Sequence, residues 1–197
     1  MLTLLAADPS TAGPHFAGDP PTAYGNFDVG IQSGTSTIAG AQIGASFGKV
    51  WPARGIGIEG AGNLVLPLMS VDSMGTTVDG RNSRGPTRVG NGLSGGFTAR
   101  GRFGKARARG WPHLIVPVRL AIAGSLQWNG GPNYRVVYAM TGAGFGWRRF
   151  RGDKLFWGVD LAGYVGVALN RPAGEGWGIL DRGRVEADLL LSFGSRF

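Results

Sequence analysis

The chain has 197 residues, 37 of them glycine and none cysteine, with 20 lysines and arginines against 12 acids, a formal charge of +8 and a pI of about 10.8. That length fits one domain, the lack of cysteine excludes disulfides, thiolate metal sites and a cysteine nucleophile, and the lack of any run of about 18 apolar residues excludes a helical membrane span. The basic balance invites a nucleic-acid reading, but no Lys/Arg-rich helix, finger or aromatic RNA-binding strand accompanies it, so no nucleic-acid partner is expected.

Residues 1–23 (MLTLLAADPSTAGPHFAGDPPTA) open with a short apolar patch and turn Pro/Gly/Ser-rich. They read as an irregular arm or the remnant of a signal peptide, with His15 as a solvent-facing loop histidine. The domain proper is expected over residues 24–197. Phe27, Val29 and Ile31 alternate with Asn26, Asp28 and Gln32 as a first strand. Gly34 to Ser36 would turn into a second, Thr37 to Val50, with Ala39, Ala41, Ile43, Ala45 and Phe47 on one parity. Parity survives that turn, so one long strand over 24–50 fits as well as a hairpin; an even strand count favours the hairpin.

Trp51 to Arg54 breaks the run. A third strand, Gly55 to Val71, sets Ile56, Ile58, Leu64, Leu66 and Leu68 against Glu59, Ala61 and Asn63, and a polar loop follows from Asp72 to Pro86. The fourth strand, Thr87 to Phe103, has the clearest pattern: Val89, Leu93, Phe97, Ala99 and Phe103 oppose Arg88, Ser94, Thr98, Arg100 and Arg102. A basic turn (GKARARG) leads to the fifth, Trp111 to Trp128, where Leu114, Val116, Val118, Leu120 and Ile122 oppose His113, Arg119, Ala121 and Ser125. Pro117 inside it predicts a bulge or an edge-like position, because proline cannot donate to the ladder.

After Asn129 to Asn133, the sixth strand, Tyr134 to Phe150, carries two parities. Val136 and Met140 suggest one, and Ala143, Phe145 and Trp147 the other, which predicts a bulge near Thr141 and Gly142. The seventh, Lys154 to Asn170, puts Leu155, Trp157, Val159, Leu161, Val165, Val167 and Leu169 opposite Asp160 and Tyr164. A loop from Arg171 to Asp181 precedes the eighth. There Val185, Ala187, Leu189, Leu191, Phe193 and Phe197 share one parity, and Arg184, Glu186, Asp188, Ser192 and Arg196 the other.

Two kinds of barrel share such alternation and invert its meaning: one buries the apolar side, the other turns it to lipid. The polar parity here is mostly Gly, Ala, Ser and Thr with scattered charges of both signs, which suits the inside of a narrow barrel better than a solvated exterior. Most strands run about 14 to 18 residues, longer than the roughly 9 to 11 a tilted strand needs to cross hydrocarbon. Phe47, Trp51, Phe103, Trp111, Trp147, Phe150, Trp157, Phe193 and Phe197 fall near the ends joined by short turns, as one interfacial girdle. Tyr134, Trp128 and Tyr138 are candidates for the other.

Strand count, alternating short and long connections and a terminal strand ending in Phe resemble the small eight-stranded bacterial outer-membrane barrels of OmpA, OmpX and OmpW type over residues 24–197. The resemblance implies an all-β, antiparallel, up-and-down transmembrane barrel with both termini and the short turns in the periplasm and long loops outside. It implies a non-enzymatic envelope role, structural, surface-exposed or assembly-anchoring, among lipopolysaccharide and anionic phospholipid, with a periplasmic or surface protein as a further partner class. No domain that binds the cell wall is read after the barrel.

A network of inward charges is expected from Asp28, Glu59, Arg100, Arg102, Arg119, Asp160, Arg184, Glu186 and Asp188. Glu59 should pair with Arg100 or Arg102, and Asp28 with Arg184, because first and last strands meet on closure. Arg54, Lys105, Arg107, Arg109, Arg148, Arg149, Arg151, Lys154 and Arg196 collect near the short turns as a basic collar facing anionic lipid or an acidic partner. Two other functions compete: a carrier, lipocalin-like or membrane-bound, for a small apolar ligand, and a lipid-modifying enzyme. The enzyme reading lacks an activated nucleophile, since His113 and Ser125 sit a barrel-length apart and no His-x-Ser pattern occurs. No His/Asp/Glu cluster has metal-ligand spacing, so neither metal nor cofactor is expected.

Overall fold

A computed structural model describes residues 20–34, 37–70, 93–107, 110–124, 135–151, 154–170 and 183–197. Eight strands, β1 (Thr22–Gly34), β2 (Thr37–Trp51), β3 (Ile56–Ser70), β4 (Ser94–Phe103), β5 (Trp111–Gly124), β6 (Arg135–Arg151), β7 (Leu155–Ala168) and β8 (Gly183–Arg196), pair antiparallel in sequence order. β1 closes on β8 through the register Tyr24↔Arg196 to Gly34↔Glu186. The barrel therefore leaves no free edge. Residues 24–50 form two strands, a hairpin in register from Thr22↔Val50 to Gln32↔Gly40.

One rim holds the start of β1, the end of β8 and the three short connections β2–β3, β4–β5 and β6–β7. Pro52–Arg54 makes a single 3-10 turn, ended by Gly55 in the left-handed region at φ 65°. The Asp72 to Pro86 and Arg171 to Asp181 segments expected as loops lie outside the described residues. So do His15 and the rest of 1–19, the segment 87–92 assigned to the fourth strand, Ser125 to Tyr134, and Arg109.

Side-chain direction follows parity all the way round. Phe97 is 59% exposed and Arg100 is 3% exposed, although only three residues separate them on β4. Leu120, Leu161 and Leu189, which a water-soluble barrel would gather at its centre, all face outward and are 40–50% exposed. The exterior is an apolar band and the interior is ionic, the arrangement of a barrel surrounded by hydrocarbon. The fold is a transmembrane barrel.

Two expected bulges are absent. β6 pairs with β7 from Tyr138↔Ala168 to Arg151↔Leu155 with no register shift at Thr141 or Gly142. Its even residues all turn inward, so Val136, Tyr138 and Met140 line the lumen while Ala143 and Phe145 face out. The mixed parity arises because the lumen is itself apolar at that level, where Ala121, Ala162 and Tyr164 complete a cluster. Pro117 likewise leaves the β5–β6 register intact between Ile115↔Gly144 and Val118↔Thr141. Its carbonyl accepts from Thr141 Oγ1 at 3.2 Å. The irregularity that does occur lies in β2–β3, around Ala39.

Candidate functional site

The lumen is filled in layers. At the short-turn rim Tyr24, Val50, Trp111 and Phe156 pack together, with Ala106 and Phe150 against them. Trp111 and Phe150 thus leave the expected girdle: they share the parity of His113 and Arg148 and turn inward. Trp111 is 1% exposed and donates Nε1–H to the Gly104 carbonyl at 2.7 Å. Phe47, Phe103, Trp157, Phe193 and Phe197 are exposed on the outer face, with Trp51 and Trp147 half-buried. Tyr138, a candidate for the other girdle, is buried in the lumen.

Above this plug, strands β1, β3, β4, β6 and β7 bring three carboxylates and three guanidinium groups to one level. Glu59 receives Arg100 at 2.7 Å and Arg102 at 2.9 Å on Oε1, and Arg148 at 2.6 Å and Tyr24 Oη at 2.9 Å on Oε2. Arg102 also spans to Asp160, with Nη2 to Oδ2 at 2.6 Å and Nη1 to Oδ1 at 3.0 Å. Both expected partners of Glu59 therefore bind it at once. Arg148, assigned by position to the collar, is an interior member of this network and stacks over Tyr24 and Phe156.

His113 is tied into the same level. Its Nδ1 lies 2.8 Å from the Trp111 carbonyl and its Nε2 lies 2.6 Å from Arg102 Nη1. A carbonyl only accepts and a guanidinium only donates, so Nδ1 carries the proton and Nε2 is the acceptor. Both ring nitrogens are occupied, and among the described residues no serine stands on either. Gly146 faces this corner, and a methyl group there would run into Asp160 Oδ1 and His113 Nε2. Gly146→Ala is expected to lower stability by about 1 to 3 kcal/mol through overpacking, read as a lower urea midpoint of the micelle-folded protein.

Asp28 does not meet Arg184. β1 closes on β8 with Asp28 opposite Ser192, so Arg184 stands eight residues, or about 27 Å, further along the strand. Asp28 instead accepts from Asn26 Nδ2 and Ser192 Oγ, both at 2.6 Å, with Arg100 at 3.6 Å. Ser46 Oγ donates to Asn26 Oδ1 at 2.7 Å. Arg184 pairs with Glu186 in a second network nearer the other rim. Arg119 there binds Asp188 and, at 2.9 Å, Glu186, while its Nε donates to Thr98 Oγ1 at 3.0 Å. Gln32 Nε2 donates to Glu186 at 2.9 Å and Asp188 at 3.2 Å.

Both levels are neutral as written: Asp28, Glu59 and Asp160 face Arg100, Arg102 and Arg148, and Glu186 and Asp188 face Arg119 and Arg184. Burying a charge costs several kcal/mol unless a partner and hydrogen bonds return it, and this matching meets that demand. Tyr164 under Arg119 at 3.9 Å and Tyr138 under Arg184 at 4.9 Å roof the second network. Alternation alone could not single out the tyrosines, which it assigned only to the polar parity or to strand ends.

Of the expected collar, Arg54, Lys105, Arg107, Arg149, Arg151 and Lys154 are exposed at the short-turn rim, and Lys49 joins them. Arg196 turns inward, 7% exposed, over Phe150 at 5.1 Å.

No protein-family model matches the chain, and no curated protein matches it in sequence. Among solved structures it is similar to Neisserial surface protein A (NspA), with a TM-score of 0.59 and 11% identity over 91% of this chain and all of that one. It is also similar to the N-terminal β-barrel domain of Pseudomonas aeruginosa OprF, with a TM-score of 0.46 and 12% identity over 87% of this chain and 96% of that one. At such identities the likeness to NspA is one of fold: a closed barrel of eight strands.

Proposed function

We propose that this transmembrane barrel is a non-enzymatic component of the bacterial outer membrane, serving the envelope as a structural, surface-exposed or assembly-anchoring element, with short turns and both chain ends on the periplasmic side. The observation that carries the reading is the neutral, hydrogen-bonded ionic filling of the lumen. A conduction path would need unpaired charges and water along the axis, whereas each interior carboxylate here lies within reach of at least one arginine. A carrier of an apolar ligand would need an oily cavity where these networks stand.

The non-enzymatic part is supported by how the reactive groups are used. Ser46 and Ser192 donate to the Asn26–Asp28 pair, Thr98 accepts from Arg119, and His113 has both nitrogens engaged. An acyl-transfer site needs a hydroxyl facing a base with a free lone pair.

The test is conductance. Purified, micelle-folded protein added to planar bilayers is expected to give no long-lived current steps above the detergent control, while its unboiled band shifts on gels. Stable unitary openings of constant size would overturn the reading, as would a change in lipid A structure on expression.

A further inference from the structure

Among the described residues the exposed charged side chains are all cationic, and all lie at the short-turn rim: Lys49, Arg54, Lys105, Arg107, Arg149, Arg151 and Lys154. The five described acids are all buried in the lumen, so nothing of opposite sign in the described exterior neutralises this ring. Five of the seven cations sit on one side, on or beside the turns β4–β5 and β6–β7. Directly below them, on the outer face of β4 to β7, lies an open groove of about 520 Å³ lined by Phe103, Leu114, Phe145, Trp147 and Leu161 among others. The two features are continuous. Trp147 and Arg149 are successive outward residues of β6, one pleat or about 7 Å apart, and Lys105 follows Phe103 by two residues just past the end of β4.

We propose that this sector is a seat for one anionic phospholipid, with an acyl chain laid in the Phe103–Leu114–Phe145–Leu161 groove and the headgroup phosphate held by Lys105, Arg107 and Arg149. A groove facing hydrocarbon fills with a chain in any membrane; the rim selects which headgroup comes with it. A zwitterionic lipid carries an ammonium group into the cationic field of these side chains, and an anionic one does not. Each lysine or arginine near an anionic surface is worth roughly a fivefold preference. The seat rests on the membrane-spanning reading, yet can fail while that reading stands.

Trp147 makes the groove observable from within. The whole protein is reconstituted in phosphatidylcholine vesicles containing either chain-brominated phosphatidylglycerol or chain-brominated phosphatidylcholine, and the quenching lost in Trp147→Phe is taken as the groove's own. At low salt, the phosphatidylglycerol probe is expected to bind the groove about fivefold or more tightly than the phosphatidylcholine probe, by at least one cation's contribution, and salt at about 1 M should erase most of the difference. K105Q/R107Q/R149Q should bring the two probes within about twofold. K49Q/R54Q, on the β2–β3 side, should leave the preference standing. Equal binding of both probes by the wild-type protein overturns the seat, and equal losses in the two variants reduce it to a diffuse surface field, which overturns it too. The unboiled gel shift of every variant reports that the barrel itself has folded.

Discussion

Replacing Arg102 with methionine is expected to lower the unfolding free energy of the micelle-folded barrel by about 3 to 5 kcal/mol, the usual cost of breaking a buried ion pair by removing one partner. Arg102 is fully buried and holds Glu59 and Asp160 together while donating to His113. Glu59 keeps Arg100 and Arg148 when Arg102 is lost, whereas Asp160 keeps within 4 Å, among the described residues, only the His113 contact at 3.4 Å, with Arg148 acting on it from further off. Most of the penalty therefore belongs to Asp160, and removing that charge as well should return part of it. R102M/D160N is expected to be about 1 to 3 kcal/mol more stable than the sum of its single variants predicts. R102K should fall between wild type and R102M, since an ammonium cannot present the planar fork that spans two carboxylates. Urea midpoints of wild type, R102M, D160N and R102M/D160N decide the matter: additive singles, or an R102M variant within about 1 kcal/mol of wild type, would show that the interior charges are not a coupled network.

Parity made the architecture legible because a strand repeats every two residues and each face meets one solvent. β4 and β8 show this cleanly: every second side chain is polar or small, Leu190 excepted, and the structure turns that set inward along the described length. The same rule holds at the rims, where distance from a turn points the other way. Trp111 shares the parity of His113 and Arg119, and Phe150 and Arg148 share that of Gly146, so the signal that places all of them inside was present. Aromatic and basic residues near strand ends also suit a membrane interface, so at these positions two patterns compete.

Other features were beyond one-dimensional reading. Which inward charges meet depends on strand stagger, and a one-dimensional pattern says that β1 and β8 are neighbours without saying which residues face each other. Hence Asp28 finds Ser192 and Asn26, and Arg184 finds Glu186 two residues away on its own strand. Nor does alternation reveal that the lumen changes character along its axis. Apolar residues at Val136 and Met140 mimic a lipid-facing parity, and only the cluster they join with Ala121, Tyr138, Ala162 and Tyr164 shows why they point in.

Which solvent lies outside is settled energetically by a depth gradient. Leu189 stands near the middle of β8, paired with Ile31 and Leu161, and all three are exposed on the outer face. Leu189→Arg is expected to cost about 2 to 4 kcal/mol, the price of an arginine at the bilayer midplane. Leu155→Arg, at the rim beside Lys154 and opposite Arg151, should cost only about 0 to 1 kcal/mol. Both sites are well exposed, at 46% and 60%, so a water-soluble barrel would treat them alike, each within about 0.5 kcal/mol of wild type. Reversible unfolding in lipid vesicles separates the two cases, because only hydrocarbon makes equal exposure unequal in energy. A flat response at both positions would mean that the apolar band meets water, and the outward leucines and the ionic lumen would then need a covering partner in place of lipid.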